Sequence, residues 1–318
     1  MTMKKWGKRI AVLFVISVLG WMAYVAWTQP PIVQGKLEYN ITYKEGKSMD
    51  IYYPTKRMGE TSPVVFFIHG GGWIAGRKES INMNRFNGAI STLRSEGFTV
   101  ISPAYTLATP ERGAFPDCIQ DVIDAIDYSV KRAEEFRLDT TRMGIFGESA
   151  GAHIAMMVGF GGGVDSFPKI PKMDYVVDVY GPTNLHEIYR TPLVDSLEVW
   201  ASKLPESLRG RADLAQQIIG FNPKEDSAKA YRIMDFYSPI RHVDAQSPPT
   251  LIVQGEADIV VPPAQSYQLD SALNHNRVNY KTLYLPGVNH AFIGATSDQR
   301  NEIQSIISHF VLTHYVVE

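Results

Sequence analysis

The chain has a single cysteine, Cys118, among 318 residues, so no internal disulfide and no cysteine-built zinc site can form. Lying in a predicted helix, that cysteine reads as a small buried apolar residue. Histidine is sparse too, with eight in all. The pattern His-Glu-x-x-His is absent, and His309 and His314 stand five apart, off the i, i+4 spacing of a helical zinc pair; no metal site is expected. Net charge is only −2, from 31 Lys and Arg against 33 Asp and Glu, which speaks against the basic surface of a nucleic-acid binder. There is no internal repeat and no low-complexity segment. With 45% hydrophobic and 20% charged residues, the composition is that of a folded chain long enough to bury a large core.

One run is both long and almost wholly apolar. Residues 1–9 carry Lys4, Lys5, Lys8 and Arg9 and no acid. Residues 10–27 then run without a charge, with Ser17 as the one polar side chain and Trp21, Tyr24 and Trp27 toward the far end. At 1.5 Å per residue such a run just spans a hydrocarbon core of about 30 Å, and aromatics belong at the interface. A cleaved signal peptide would want small residues at −3 and −1; Ala26 suits −1, but Tyr24 is a poor −3. An uncleaved transmembrane signal anchor is therefore favoured, with the basic flank cytoplasmic and the rest extracytoplasmic (periplasmic or extracellular); cleavage would make the chain secreted. No lipobox cysteine suggests a lipid anchor. Residues 28–36, with Pro30-Pro31, read as a linker, and 37–318 as one domain.

Within that domain, residues 37–43 and 48–53 alternate as two strands around a turn at Lys44-Glu45-Gly46-Lys47. The continuous apolar run 63–68 suits a strand covered on both faces, as in a parallel sheet. Further strands are expected at 98–103, 142–146, 174–180, 250–254 and 280–285. Helices are expected at 84–97, at 116–137 (with Ile119, Val122, Ile123, Ile126 and Val130 at helical spacing) and at 302–315. Between 185 and 232 the pattern weakens into short amphipathic pieces, read as a small cap insertion. Strand and helix alternate, which predicts an α/β fold: a mostly parallel central sheet with helices on both faces, preceded by one N-terminal transmembrane helix.

The chemistry concentrates where strands end. Gly147-Glu148-Ser149-Ala150-Gly151 joins a strand to an Ala/Met-rich helix. The flanking glycines permit a sharp turn that presents the Ser149 hydroxyl, with the Ala150 N–H aimed at developing negative charge. Asp258 and His290 follow two later strands, and in an open α/β sheet the carboxyl ends of the strands share one crevice. A serine needs a base, and a histidine needs an acid to fix its tautomer, so Ser149, His290 and Asp258 form a candidate catalytic set. Glu256 follows the same strand as Asp258 and is an alternative acid. In His69-Gly70-Gly71-Gly72-Trp73 consecutive glycines leave backbone amides unobstructed, so Gly71, Gly72 and Ala150 are candidate oxyanion-hole donors. His69 is expected to hydrogen-bond this loop, His153 to be structural, Trp73 and Tyr105 to line a substrate pocket or pack the core, and Tyr180, ending a strand on the same edge, to contribute to the pocket wall.

On these motifs, with Asp258-Ile-Val-Val-Pro262, Tyr105-Thr-Leu107 and Phe115-Pro116, residues 37–315 resemble an α/β-hydrolase of the esterase/lipase group. That group includes the hormone-sensitive-lipase-like and the bacterial feruloyl-esterase-like (BD-FAE-type) enzymes. Thr106, where arginine is common, and Glu148, where aspartate is common, depart from its pattern. The resemblance favours Asp258 over Glu256. It implies a serine carboxylic-ester hydrolase that needs no cofactor and acts on small-molecule esters with small or medium acyl or aryl groups. An amide hydrolase resembling kynurenine formamidases, which share a His-Gly-Gly-x-Trp loop, is the alternative within the fold, and the export segment argues against it. A non-catalytic binding module would usually lose the serine or the histidine, and both are present.

Overall fold

The computed structural model describes residues 32, 34–83, 85–109, 112–161, 171–188 and 214–314. The expected transmembrane run at 10–27 lies outside these residues, as does 189–213 of the expected cap. Among the described residues no helix is long and apolar enough to cross a membrane.

Strands β1 (Leu37–Lys44) and β2 (Lys47–Tyr52) form the expected hairpin, turning at Gly46 with φ +69°. Then follow β3 (Ser62–Ile68), helix α1 (Asn87–Ser95), β4 (Thr99–Pro103), α2 (Asp117–Lys131), β5 (Leu138–Glu148) and α3 (Ala150–Gly159). Next come β6 (Val176–Val179), α4 (Leu214–Ile219), α5 (Ser227–Phe236), β7 (Thr250–Gly255), α6 (Ala264–His275), β8 (Tyr280–Leu285) and α7 (Ser297–Thr313). The eight strands make one sheet in the order β1-β2-β4-β3-β5-β6-β7-β8. Pairings β1/β2 and β2/β4 are antiparallel and the others parallel.

Strand side chains alternate between faces, and the core divides accordingly. Val64, Phe66, Ile68, Ile145, Val176 and Ile252 pack with Ile119, Ile126, Ile154 and Leu269 from α2, α3 and α6. Val65, Phe67, Phe146, Val177 and Val253 pack with Ile90, Leu93, Ile303, Ile307 and Phe310 from α1 and α7. Helices thus cover both faces, so β3 and β7 are buried along their whole length. The chain runs from β3 outward to β4 and then returns past β3 to β5. That reversal opens a crevice between the carboxyl ends of β3 and β5, where ligands bind in open α/β sheets.

Three elements depart from expectation. The expected helix at 116–137 stops at Lys131; a single turn, Ala133–Phe136, and the left-handed Arg137 (φ +54°) then redirect the chain into β5. Helix α7 begins ahead of residue 302 because Thr296 caps it: its hydroxyl accepts the Gln299 N–H, and the Gln299 side chain accepts the Thr296 N–H. Helix α6 lies in a stretch for which no helix is expected. The described parts of the 185–232 stretch are the turn Leu185–Ile188, α4 and α5.

Candidate active site

Ser149 sits between β5 and α3 with φ 53° and ψ −124°, a strained conformation for a non-glycine residue. Its N–H donates to the Val179 carbonyl on β6 (2.9 Å), which ties the turn to the neighbouring strand. A Cβ at Gly147 would collide with the Gly151 carbonyl, and one at Gly151 with the Ile68 and His69 carbonyls. These are backbone obstacles that no side-chain movement relieves, which is why the turn needs glycine on both sides. As the first residue of α3, Ala150 has an N–H with no acceptor inside the helix.

His290 and Asp258 come from the loops after β8 and β7. The Asp258 Oδ2 accepts the Nδ1–H of His290 at 2.8 Å, and the Nε2 of His290 stands 3.2 Å from the Ser149 Oγ. The other Asp258 oxygen, Oδ1, accepts the N–H groups of Val260 and Val261, each at 2.9 Å, so the carboxylate cannot turn. The side chain of Asp258 is fully covered while that of His290 keeps 17% exposure. Glu256, by contrast, is exposed, and its Oε1 accepts the Tyr267 hydroxyl (3.1 Å). Two residues that the sequence reading did not single out hold this pair. Gln254 Nε2 approaches Asp258 Oδ2 at 3.3 Å, and Asn289 Oδ1 accepts the N–H groups of both His290 (2.7 Å) and Ile259 (3.1 Å). Asn289 thereby laces the acid loop to the histidine loop. An asparagine just before a loop histidine was the available signal.

The glycine loop leaves β3 beside the serine. Gly71 has φ +127° and Gly72 φ +60°. A Cβ at Gly71 would collide with the Ala75 carbonyl, whereas one at Gly72 meets nothing closer than 4.0 Å. The Gly71 carbonyl accepts from Ile74 (3.2 Å) and Ala75 (3.0 Å); among the described residues no backbone hydrogen bond uses the amides of Gly71 or Gly72. The His69 Nδ1–H donates to the Gly70 carbonyl (2.8 Å), and burial holds this imidazole neutral by lowering its pKa. His69 thus braces the loop, as expected.

Trp73, Tyr105 and Tyr180, all expected at the pocket, the first two with the core as alternative, are buried. Tyr105 stacks on His69 (4.2 Å between centroids, 16°) and donates its hydroxyl to the His69 carbonyl at 2.9 Å, supporting the loop from behind. Trp73 meets Phe115 (5.8 Å) and His153 (5.1 Å) edge-on, and its indole N–H has no partner among the described residues. Tyr180, at φ +44°, donates to Glu148 Oε2 (2.7 Å). His153 bonds the Tyr237 carbonyl through Nε2 (2.7 Å), and burial pushes its pKa down to about 3, so it stays neutral and structural. Asp178, on β6, accepts the Gly181 N–H at 2.9 Å through Oδ1 while its buried Oδ2 has no partner among the described residues; desolvation pushes its pKa up to about 8. Among the described residues no three His, Cys, Asp or Glu side chains are grouped to hold a metal.

A nucleophile with a base in reach, an acid behind the base, and unobstructed amides nearby can together form and break an acyl bond. Comparison with known proteins agrees with this architecture. The model of the BD-FAE family matches residues 49–273. Esterase LipC of Mycobacterium tuberculosis is 23% identical over 253 residues, covering 77% of this chain and 56% of its own, so this chain spans about half the length of that relative. Among solved structures, a truncated carbohydrate esterase from gut microbiota is 23% identical with a TM-score of 0.68, covering 89% of this chain and 99% of that one. An arylesterase is 21% identical with a TM-score of 0.67, covering 94% and 91%. The fold is the α/β-hydrolase fold.

Proposed function

This chain belongs to the BD-FAE family, and from that premise we propose that it hydrolyses carboxylic esters through an acyl-enzyme on Ser149. The observation that carries the reading is the hydrogen-bonded line Ser149 Oγ, His290 Nε2, His290 Nδ1, Asp258 Oδ2, at 3.2 and 2.8 Å. His290 takes the Ser149 proton as Oγ attacks the ester carbonyl. The amides of Gly71, Gly72 and Ala150 receive the oxyanion. As the tetrahedral intermediate collapses, the C–O bond to the alcohol breaks and His290 returns the proton to the departing oxygen. Water activated by the same imidazole then hydrolyses the acyl-enzyme, regenerating Ser149.

For the substrate we propose a small or medium acyl or aryl ester. Ile74, Ile259, Val260 and Ile293 are exposed apolar residues in the loops that carry the glycines, the acid and the histidine, which suits an apolar substituent at the ester. The names of the similar carbohydrate esterase and arylesterase point the same way. Residues 10–27 are proposed to anchor the enzyme, with the catalytic domain outside the cytoplasm; the charge-free run behind a basic flank supports this. The test is fluorophosphonate labelling of the full chain and of Ser149→Ala, together with hydrolysis of short p-nitrophenyl esters. Labelling and turnover that vanish in Ser149→Ala are expected. A folded wild-type protein that neither labels nor turns over would overturn the proposal.

A further inference from the structure

Asp258 and Ser149 occupy both ring nitrogens of His290, yet two bonds on opposite sides of an imidazole leave the ring free to rotate about the line joining them. Something else must set the plane. Tyr180 lies against it, with ring centroids 4.7 Å apart at 59°, and Phe292 stands edge-on to Tyr180 at 5.0 Å. Tyr180 is 1% exposed, and its φ of +44° is costly for a bulky side chain; strain held so close to a reacting group asks for a function. Its N–H is tied to the Val253 carbonyl (2.9 Å), and its hydroxyl donates to Glu148 Oε2 at 2.7 Å. Glu148 is the residue before the nucleophile, so a chain of contacts runs from the nucleophile turn through the phenol to the base.

We propose that Tyr180 and Glu148 are positioning residues for His290: the phenol ring fixes the imidazole plane, and the Glu148 charge, held on the phenol, favours the imidazolium that forms in the transition state. This rests on the ester-hydrolase reading of Ser149. Among the described residues, the groups facing Glu148 include Tyr180, Arg85, His69 and Tyr105; those facing Tyr180 include Arg85 and Asp258; those on His290 include Asp258, Ser149 and Tyr180. Arg85 is the one cation fixed in charge among them and offsets part of the Glu148 effect.

The variants are Tyr180→Phe and Glu148→Gln in the full-length protein, alongside wild type and Ser149→Ala. The readouts are kcat and KM on p-nitrophenyl acetate, kcat/KM against pH, and the urea midpoint. Tyr180→Phe keeps the ring and loses its tether, so kcat falls about three- to tenfold with KM unchanged. Glu148→Gln removes a negative charge from the phenol that lies against the imidazolium, so the acid limb moves to lower pH and kcat falls. A purely structural tyrosine would lower the urea midpoint and leave the acid limb in place. The inference is overturned if both variants keep the wild-type kcat and acid limb; should Tyr180→Phe unfold, the isosteric Glu148→Gln decides alone. Turnover that survives in Ser149→Ala sinks the ester-hydrolase reading, and this inference with it.

Discussion

Asp258→Asn is the substitution whose consequence can be worked most closely from the structure. Asp258 Oδ1 accepts two backbone N–H groups, from Val260 and Val261. The asparagine carbonyl must take that place, because an amide NH2 there would face two donors. The NH2 group then falls where Oδ2 now accepts from His290 Nδ1–H and from Gln254 Nε2. To avoid a donor facing a donor, His290 adopts the tautomer with Nδ1 accepting and Nε2 protonated. Nε2 then carries a proton toward Ser149 Oγ and cannot take one from it. The same substitution in a serine protease triad lowers kcat by about 10⁴, and a loss of 10³–10⁴ here corresponds to about 4–5.5 kcal/mol of transition-state stabilisation. The assay is kcat on a short p-nitrophenyl ester at pH 8, with circular dichroism to establish folding. A folded Asp258→Asn retaining more than about a tenth of wild-type kcat would refute the tautomer argument and move attention to Glu256, even though that side chain is exposed and bonded to Tyr267.

Two further predictions concern the scaffold. Asp178 has its folded-state pKa raised from 3.8 to about 8, so the fold favours the protonated acid. Its contribution to stability is complete below about pH 4 and is lost as pH rises through about 8, by at most about 1.4 kcal/mol per pH unit. Asp178→Asn should therefore gain on wild type across this window in urea titrations; a difference between the two that does not change with pH would refute the assignment. Gly151→Ala drives a methyl group into the Ile68 and His69 carbonyls, backbone atoms where β3 ends and the glycine loop begins. A loss of about 1–3 kcal/mol by urea unfolding and loss of Ser149 labelling are expected; wild-type stability and labelling would contradict the packing argument.

The strands were readable because a parallel sheet covered on both faces demands unbroken apolar runs, and 63–68 and 250–254 supply them. The nucleophile turn was readable because its glycines answer to backbone collisions that leave no alternative. Helix α6 escaped notice for the opposite reason. Its buried face includes Gln265 and Ser266 beside Leu269 and Leu273; Gln265 satisfies the N–H groups of Thr183 and Asn184, and Ser266 bonds Gln254. A face built on polar contacts to distant residues carries no apolar period. The break after Lys131 depends on the need to turn into β5, a tertiary demand that α2 does not announce. Trp73 and Tyr105 read equally as wall or core, because an amphipathic ring suits both, and for Tyr105 only the hydroxyl partner separates the cases. Asn289 matters through its bond to a residue thirty positions earlier, which spacing cannot reveal.

In the proposed mechanism the reacting serine and its base are 141 residues apart along the chain, and the base and its acid are 32 apart. During synthesis the nucleophile turn emerges long before the last strand that delivers the histidine. Until β8 docks beside β7, the hydroxyl has no proton acceptor and is as inert as any other serine. On the proposed mechanism, reactivity at Ser149 requires β5, β7 and β8 to be in place together, so a covalent probe of that one atom reads out the joining of this half of the sheet. On the same proposal, a chain in which β8 has not yet paired with β7 is unable to attack an ester.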